Sequence, residues 1–231
     1  MTLTAILFDK DGTLFDFQAT WSGWIAGMLR VLAQGDGVLE AVLAEAVGFD
    51  PETGQFDPAS PVIAGTPLEV AEELHPHLPD PPPLGRLVEN LNAAAATAPM
   101  AEAVPLVPYL DGLLARGLKL GVVTNDAEAP ARAHLDQVGV LTAFDVVVGC
   151  DSGHGAKPAP GPVLGALAAL ETAPEAAVMV GDSLHDLMAG RAAGLRTVGV
   201  LTGLAAWGDL APFADAVMAD IGGLPGWLDR L

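Results

Sequence analysis

The stretch that decides the fold is "AILFDKDGTLFD", residues 5–16. Four apolar residues, 5–8, predict a short buried strand, and the pattern then changes abruptly to polar residues and glycine. Asp9 and Asp11 stand two positions apart at the end of this strand, with Gly12 and Thr13 directly behind them. Two interpretations compete. The acids form a solvated turn, or they are a nucleophile and its proton-transfer partner.

The second half of the chain alternates between helices and apolar strands. After residue 105 the pattern predicts helices at about 107–116, 129–138, 160–170 and 184–193, and strands at 118–124, 144–149, 177–181 and 197–201. A short last strand at 214–218 and a terminal helix at 222–231 follow. Apolar strands that alternate with helices predict a parallel sheet that is covered on both faces.

A long insert separates the first strand from this alternation. Helices are predicted in the insert at 21–32, 39–47, 67–74 and 84–98, and "PETG" (51–54) favours a small hairpin. Thr66 and Glu69 form a capping box at the start of the third helix. The predicted fold class is α/β, a three-layer Rossmann-like core with a parallel sheet, residues 1–16 and 97–231. A mostly helical cap domain, residues 17–96 (the cap), is inserted after the first strand.

The composition argues against several classes of protein. The net charge is −19, from 29 acidic and 10 basic residues, and a chain this acidic repels nucleic acid. No apolar run approaches the roughly 20 residues of a membrane span, and the N-terminus does not resemble a secretory signal. The single cysteine, Cys150, excludes an intramolecular disulfide and fits a buried structural thiol in a reducing compartment. We expect a cytoplasmic protein, monomeric or homodimeric, with no membrane or nucleic-acid partner.

Polar residues follow the C-terminal ends of several predicted strands. Parallel strands bring these ends to one edge of the sheet, where open α/β folds bind their ligands. The residues expected at this edge are Asp9, Asp11, Gly12, Thr13, Thr124, Asn125, Lys157, Asp182 and Asp186. Any one of them could be a turn residue or a helix cap, Asp182 with Ser183 above all. The combination of acids, one lysine and a Thr–Asn pair at one edge favours a site.

These residue types suit phosphoryl transfer. Asp9 and Asp182 offer the oxygen ligands that Mg²⁺ prefers. With a phosphate oxygen held by the cation, one aspartate can attack phosphorus, and a second acid two residues on can protonate the leaving oxygen and then activate water. Lys157 supplies positive charge to the phosphoryl oxygens, and Thr124 with nearby backbone N–H groups can hold the others.

Four motifs in this order, "FDKDGTL", "VVTN", "AKPAPGP" and "VGDSLHD", resemble the signature motifs of the haloacid dehalogenase-like hydrolase superfamily. The insert is similar to that superfamily's helical cap. The resemblance implies Mg²⁺ as cofactor and an aspartyl-phosphate intermediate. It implies Asp9 as nucleophile, Asp11 as general acid/base, and Thr124 and Lys157 as phosphate and charge partners. It implies Asp9, Asp182 and the backbone carbonyl of Asp11 as metal ligands, with Asp186 in an indirect or water-mediated role. Gly12, Thr13 and Asn125 are expected on the substrate side.

The motifs also separate branches of the superfamily. Dehalogenating members lack an acid at the position of Asp11, so dehalogenation is disfavoured. Phosphonate-cleaving members use a cap lysine, and residues 17–96 contain none. Hydrolysis of a small phosphorylated metabolite, as in phosphoglycolate phosphatases, is the main prediction, and a phosphosugar mutase of the β-phosphoglucomutase type is the alternative. A non-catalytic binding module is disfavoured because such a module would be expected to lose an acid or the lysine.

Four cap residues are candidate substrate contacts: Arg30, Arg86, and Ser60 and Thr66 of the "SPVIAGT" loop. The competing interpretation places both arginines on solvated helix faces. Lys10 departs from the apolar or small residue that is usual between the two aspartates of the superfamily. We expect it to point away from its neighbours, as a surface or cap-hinge contact.

Overall fold

A computed structural model describes residues 3–231 and places a parallel sheet at the centre of the chain. The strands are β1 (Ala5–Phe8), β2 (Phe49–Asp50), β3 (Gln55–Phe56), β4 (Lys119–Val123), β5 (Val146–Val148), β6 (Ala177–Gly181), β7 (Arg196–Val200) and β8 (Ala216–Met218). β2 and β3 form a separate antiparallel hairpin, and the other six form one sheet in the order β5-β4-β1-β6-β7-β8 with every neighbouring pair parallel. The predicted parallel sheet and hairpin are confirmed.

The helices connect the strands and build the cap. They are α1 (Phe17–Leu32), α2 (Gly37–Ala46), α3 (Pro61–Ala64), α4 (Pro67–Leu74), α5 (Leu84–Ala95), α6 (Leu106–Leu114), α7 (Glu128–Gln137), α8 (Gly161–Ala169), α9 (Leu184–Ala192), α10 (Trp207–Leu210) and α11 (Leu224–Leu228). Within residues 3–231, no helix is both long and apolar enough to cross a bilayer.

The strand register brings the candidate residues together. β1 lies between β4 and β6, and Phe8 is level with Val122 on one neighbour and with Val180 on the other. The chain leaves all three strands at the same edge within one or two residues of this level. Asp9, Thr124 and Asp182 therefore meet at the carboxyl edge of the sheet.

The two faces of the sheet carry separate layers of helices, because side chains alternate along each strand. Ile6 and Phe8 point to the face that is covered by α6, α7 and α11. Ala5 and Leu7 point to the opposite face, where α8 and α9 pack. The α/β fold with three layers is as predicted.

The cap has a hydrophobic cluster of its own, formed by buried side chains from residues 17–98. α1, α2, α4 and α5 contribute to this cluster, and Phe56 of the hairpin packs edge-on against Phe17 at a ring distance of 5.3 Å. This separate cluster supports the domain division that we propose, with residues 17–96 as the cap and 1–16 with 97–231 as the core.

Several predicted boundaries were wrong. α1 begins four residues earlier than predicted, because the Asp16 side chain accepts the backbone N–H of Ala19 and caps the helix. The predicted terminal helix 222–231 is a 3₁₀ turn at Ile221–Gly223 followed by the short α11. Cys150 is half-buried rather than buried; burial, helped by the nearby Asp151 charge, raises the pKa of its thiol to about 11.

His134 on α7 ties the core to the cap. Its ring is fully buried, Nε2 lies 2.7 Å from the Ala95 carbonyl at the end of α5, and the ring packs edge-on against Trp21 of α1. Since the carbonyl can only accept, Nε2 carries the proton and Nδ1 is left unprotonated. Burial, reinforced by the Lys10 charge, lowers the pKa of His134 to about 4.

A buried neutral histidine makes stability depend on pH. Between the ordinary pKa of about 6.5 and the lowered value of about 4, the unfolded chain binds a proton that the folded chain does not. The stability that the neutral ring contributes is therefore present above pH 6.5 and is lost as the pH falls. His134→Gln keeps an N–H donor but cannot take up this proton. We expect the difference in unfolding free energy between wild type and His134→Gln to fall by about 2 kcal/mol from about pH 7.5 to about pH 5 in urea titrations. A difference that stays constant with pH would contradict this account.

Candidate active site

Lys157 lies at the centre of the carboxyl edge of the sheet. Its ammonium donates to Asp9 Oδ1 at 2.7 Å, to Asp186 Oδ1 at 2.6 Å and to the Val123 carbonyl at 2.7 Å. The side chain is 4% exposed, so its three donors are used inside the protein. Burial alone would lower the pKa of Lys157, but the charges of Asp186 and Asp9 outweigh burial and raise it. The lysine is therefore a permanent cation.

Asp9, Asp182 and Asp186 form a buried cluster of acids beside this lysine. One carboxylate oxygen from each lies within 4.8 Å of the others. Burial, with repulsion from neighbouring acids, raises the pKa of Asp9 to about 7 and raises the pKa of Asp182 well above its usual range. A hard divalent cation would relieve this repulsion with the oxygen ligands that it prefers. The donor set therefore fits a bound cation.

Asp186 also accepts hydrogen bonds from Ser183, besides its contact with Lys157. Its Oδ2 accepts from the backbone N–H of Ser183 at 3.0 Å and from the Ser183 hydroxyl at 2.6 Å, and the Ser183 hydroxyl caps the start of α9 in return. The predicted N-cap role of Ser183 is confirmed, and Asp182 beside it joins the acidic cluster instead of capping the helix. The carboxylate of Asp186 is thereby fixed from both sides.

The turn after β1 brings Gly12 and Thr13 against Asp182. The Thr13 hydroxyl donates to Asp182 Oδ1 at 3.3 Å. Gly12 has a φ of +75°, and a Cβ at this position would collide with the Asp182 carboxylate. Glycine is thus required by its backbone conformation and by space. These two residues hold an acid of the cluster, which differs from the direct contact with substrate that the sequence predicts.

Asn125 orders the loop that carries Lys157. Its amide oxygen accepts the backbone N–H of Lys157 at 2.9 Å, and its Nδ2 donates to the Lys157 carbonyl at 2.9 Å. The same Nδ2 donates to the Ala64 carbonyl at 2.8 Å, on the cap. The Thr124 hydroxyl accepts the Asp126 N–H at 3.1 Å and lies at the cavity surface.

Asp11 lies where the core meets the cap. Trp21 of α1 donates its indole N–H to Asp11 Oδ1 at 2.8 Å, and the Lys10 ammonium contacts Oδ2. The Asp11 side chain is therefore separate from the acidic cluster, and its predicted contribution to a metal through the backbone carbonyl stays a prediction. Its position two residues after Asp9, on the cavity surface, suits proton transfer to a group bound between them.

Lys10 is not at the surface, so that alternative of the prediction was wrong, whereas the predicted contact at the cap boundary is present. The side chain is completely buried, with its ammonium paired to Asp11 and, at 3.0 Å, to Asp126. Burial alone would lower the pKa of Lys10, but the two acids outweigh burial and raise it. The ammonium also lies over the Trp21 ring, 5.4 Å from its centre. The polar environment beneath the cap explains why a lysine replaces the usual apolar residue here.

A cavity of about 820 Å³, counted together with the part that is open to solvent, lies over this edge of the sheet. The core contributes its floor, which includes Asp9, Asp11, Thr124, Lys157 and Asp182, and the cap contributes the opposite wall. Most of the predicted core residues thus line one cavity, while Gly12 and Thr13 lie behind it against Asp182.

Three of the four candidate contacts from the cap lie elsewhere. Arg30 and Arg86 have side chains 69% and 65% exposed, pair with Glu40 and Glu89, and are absent from the cavity lining. Ser60 is buried, donates to the Val47 carbonyl and caps α3. These placements do not support contact with the substrate. Thr66 does line the cavity, although its hydroxyl is used in the capping box of α4.

The chain is similar to known proteins in sequence and in fold. A model of the haloacid dehalogenase-like hydrolase family matches residues 3–194. The chain belongs to this family. It is 32% identical over 238 residues to a phosphoglycolate phosphatase of Rhodospirillum rubrum, covering 97% of this chain and 90% of that relative. It is 33% identical over 201 residues to the pyrophosphatase PpaX of Bacillus velezensis, covering 86% of this chain and 83% of that relative. A crystal structure of a HAD phosphatase from Thermococcus onnurineus superposes with a TM-score of 0.69 at 24% identity, covering 98% of each chain.

Sequence reasoning missed three residues of this haloacid dehalogenase-like site: Trp21, Asp126 and His185. The helical stripe at 21–32 indicated packing, and nothing in the spacing showed that the Trp21 indole reaches Asp11. His185, inside "VGDSLHD", contacts the Ala64 carbonyl through Nδ1 at 3.1 Å. That histidine was visible in the motif but had no assigned partner.

The pairing of Lys10 with Asp126 is testable by comparing a single variant with a double variant. Lys10→Met restores an apolar residue but leaves the buried Asp126 without its cation, so we expect a loss of about 3 kcal/mol in unfolding free energy. Lys10→Met/Asp126→Asn removes both charges and should recover most of this loss in urea titrations. Lys119→Met, at an exposed lysine, is the control, and an equal effect at both lysines would refute the pairing.

The acidic cluster predicts stabilisation by a divalent cation. At a cation concentration about a hundred times its Kd, we expect the Tm to rise by roughly 5 °C or more in thermal scans, because the folded state alone holds the three acids together. Asp182→Asn should abolish most of the rise, and Asp80→Asn, at an exposed loop acid, should keep it. Equal shifts in both variants would place the cation elsewhere.

Proposed function

We propose that this haloacid dehalogenase-like hydrolase is a magnesium-dependent phosphatase that hydrolyses a small phosphomonoester through an aspartyl phosphate on Asp9. One observation carries the proposal: the Lys157 ammonium joins Asp9 to Asp186 on the floor of the cavity, while Asp11 stands two residues on. The names of the two curated relatives, a phosphoglycolate phosphatase and a pyrophosphatase, support phosphoryl chemistry.

The proposed first step forms the covalent intermediate. Lys157 holds Asp9 Oδ1, which leaves the other carboxylate oxygen of Asp9 to attack phosphorus. The bond from phosphorus to the leaving oxygen breaks, and Asp11 gives that oxygen a proton. Bound Mg²⁺, which Asp9 and Asp182 would hold, supplies charge neutralisation for the phosphoryl oxygens. Thr124 at the cavity surface is the proposed partner of a phosphoryl oxygen.

The second step returns the enzyme to its starting state. Asp11, now deprotonated, takes a proton from water, and the water oxygen attacks the phosphorus of the aspartyl phosphate. The Asp9 carboxylate is regenerated and inorganic phosphate leaves. Indole and ammonium contacts from Trp21 and Lys10 hold Asp11 at the cap boundary. A mutase would use the same first step but pass the phosphoryl group to a second hydroxyl.

Phosphate release tests the assignment of the nucleophile. With phenyl phosphate and MgCl₂, we expect Asp9→Asn to lose turnover by at least about a thousandfold, since no covalent intermediate can form. Asp11→Asn should lose about a hundredfold or more, because proton transfer contributes that much. Asp80→Asn is the matched control and should retain wild-type kcat.

Two results would overturn the proposal in different ways. Full magnesium-dependent turnover by Asp9→Asn would remove the nucleophile. Activity confined to a phosphosugar in the presence of a bisphosphate activator, without phosphate release from simple esters, would favour the mutase.

A further inference from the structure

The cap side of the cavity is a nearly continuous apolar surface. Two aromatic and four aliphatic side chains form it, and we call this set the cap wall: Trp21, Trp24, Val62, Ile63, Val70 and Leu91. They come from α1, α3, α4 and α5, so every cap helix that faces the core contributes. Trp24 and the three β-branched residues are only partly buried, as expected of a surface that is free to contact a bound molecule.

The polar groups on this side of the cavity are mostly occupied. The indole N–H of Trp24 donates to the Ala94 carbonyl at 3.2 Å, and that of Trp21 donates to Asp11. Trp24, which is partly exposed, therefore offers ring surface to a ligand, whereas the buried Trp21 ring already contacts Lys10 and His134. Asn92, which also lines the cavity, has an amide that no other described residue engages. The cap thus offers one hydrogen-bonding side chain beside a broad apolar surface.

No cation is in place for a second negative charge on the substrate. Of the described residues that line the cavity, the cap supplies no charged side chain, and its two arginines lie exposed elsewhere. Lys157 already uses its three donors on Asp9, Asp186 and Val123. His185 uses its Nδ1 on the Ala64 carbonyl at 3.1 Å. A carboxylate or second phosphate against the cap wall would be buried without a charged partner from the cap.

We propose that the substrate's leaving group is uncharged and mainly apolar, a phenol or a branched alcohol, with one polar group opposite Asn92. This inference rests on the proposed phosphatase function and specifies the substrate class of the same site. It separates the chain from its named relatives, since glycolate and pyrophosphate leaving groups both carry charge. A phosphosugar would bring a ring of hydroxyls against tryptophan faces and valines, which cannot replace its hydrogen bonds to water.

Matched pairs of esters isolate the effect of charge. Phenyl phosphate and 4-carboxyphenyl phosphate differ by one carboxylate far from phosphorus and have leaving groups of similar basicity. Isobutyl phosphate and 2-phosphoglycolate make an aliphatic pair. We expect kcat/KM of the wild-type enzyme with Mg²⁺ to favour the uncharged member of each pair by about tenfold or more, since an unpaired charge is costly to bury.

A charge placed in the cap wall should reverse this preference. Val70→Arg puts a cation beside the bound leaving group, and we expect it to shift the ratio of the two aryl esters by about tenfold toward 4-carboxyphenyl phosphate. Val38→Arg, at a valine that is 77% exposed on α2 and outside the cavity, is the matched control and should leave the ratio unchanged. Circular dichroism of both variants checks that they are folded.

The wild-type ratios decide the inference even if a variant fails to fold. Equal or better hydrolysis of the charged esters would overturn the assignment of the substrate class while upholding the phosphatase. Phosphate release from none of the four esters would overturn the proposed function, and the substrate class with it. A shift of the ratio by Val38→Arg as large as that by Val70→Arg would show that net charge, not the cap wall, sets the preference.

Discussion

The three hydrogen bonds of the Lys157 ammonium are the interaction on which the rest of this site depends. They join the end of β1, through Asp9, to the end of β4, through the Val123 carbonyl, and to α9, through Asp186. An isolated acidic cluster in the middle of a sheet edge would push its own members apart. Lys157 offsets part of the repulsion between the acids, and a bound cation would offset the remainder. The loop that carries it is fixed in turn by Asn125, so the position of the charge follows from the backbone.

The cap is fastened to the core through contacts that converge on the same place. Asn125 and His185, both on the core, approach the Ala64 carbonyl on the cap. Trp21 reaches the other way, from the cap to Asp11. Residues at the candidate active site therefore also hold the cap against the core. The same contacts fix both the floor of the cavity and its cap side.

Much of this arrangement was predictable from the sequence, and the failures have a common cause. Strand ends and their polar residues follow from local pattern and from the geometry of parallel sheets, so Asp9, Lys157 and Asp182 were found. Lys10 was misplaced because its partner Asp126 is 116 positions away, and local pattern carries no signal for such a pair. The arginines show the same limit. Amphipathic periodicity places Arg30 on a helix, but only tertiary packing shows that the face toward the cavity carries tryptophans instead.

The burial of Lys10 has a consequence for how this chain could have arisen. An apolar residue at position 10 with an aspartate at 126, or a lysine at 10 with an apolar residue at 126, leaves a charge enclosed beneath the cap with fewer partners. We expect each intermediate to be less stable than either end state, so changes at the two positions should be coupled. Related chains should carry both charges or neither. The pair is in that sense one coupled unit beneath the cap.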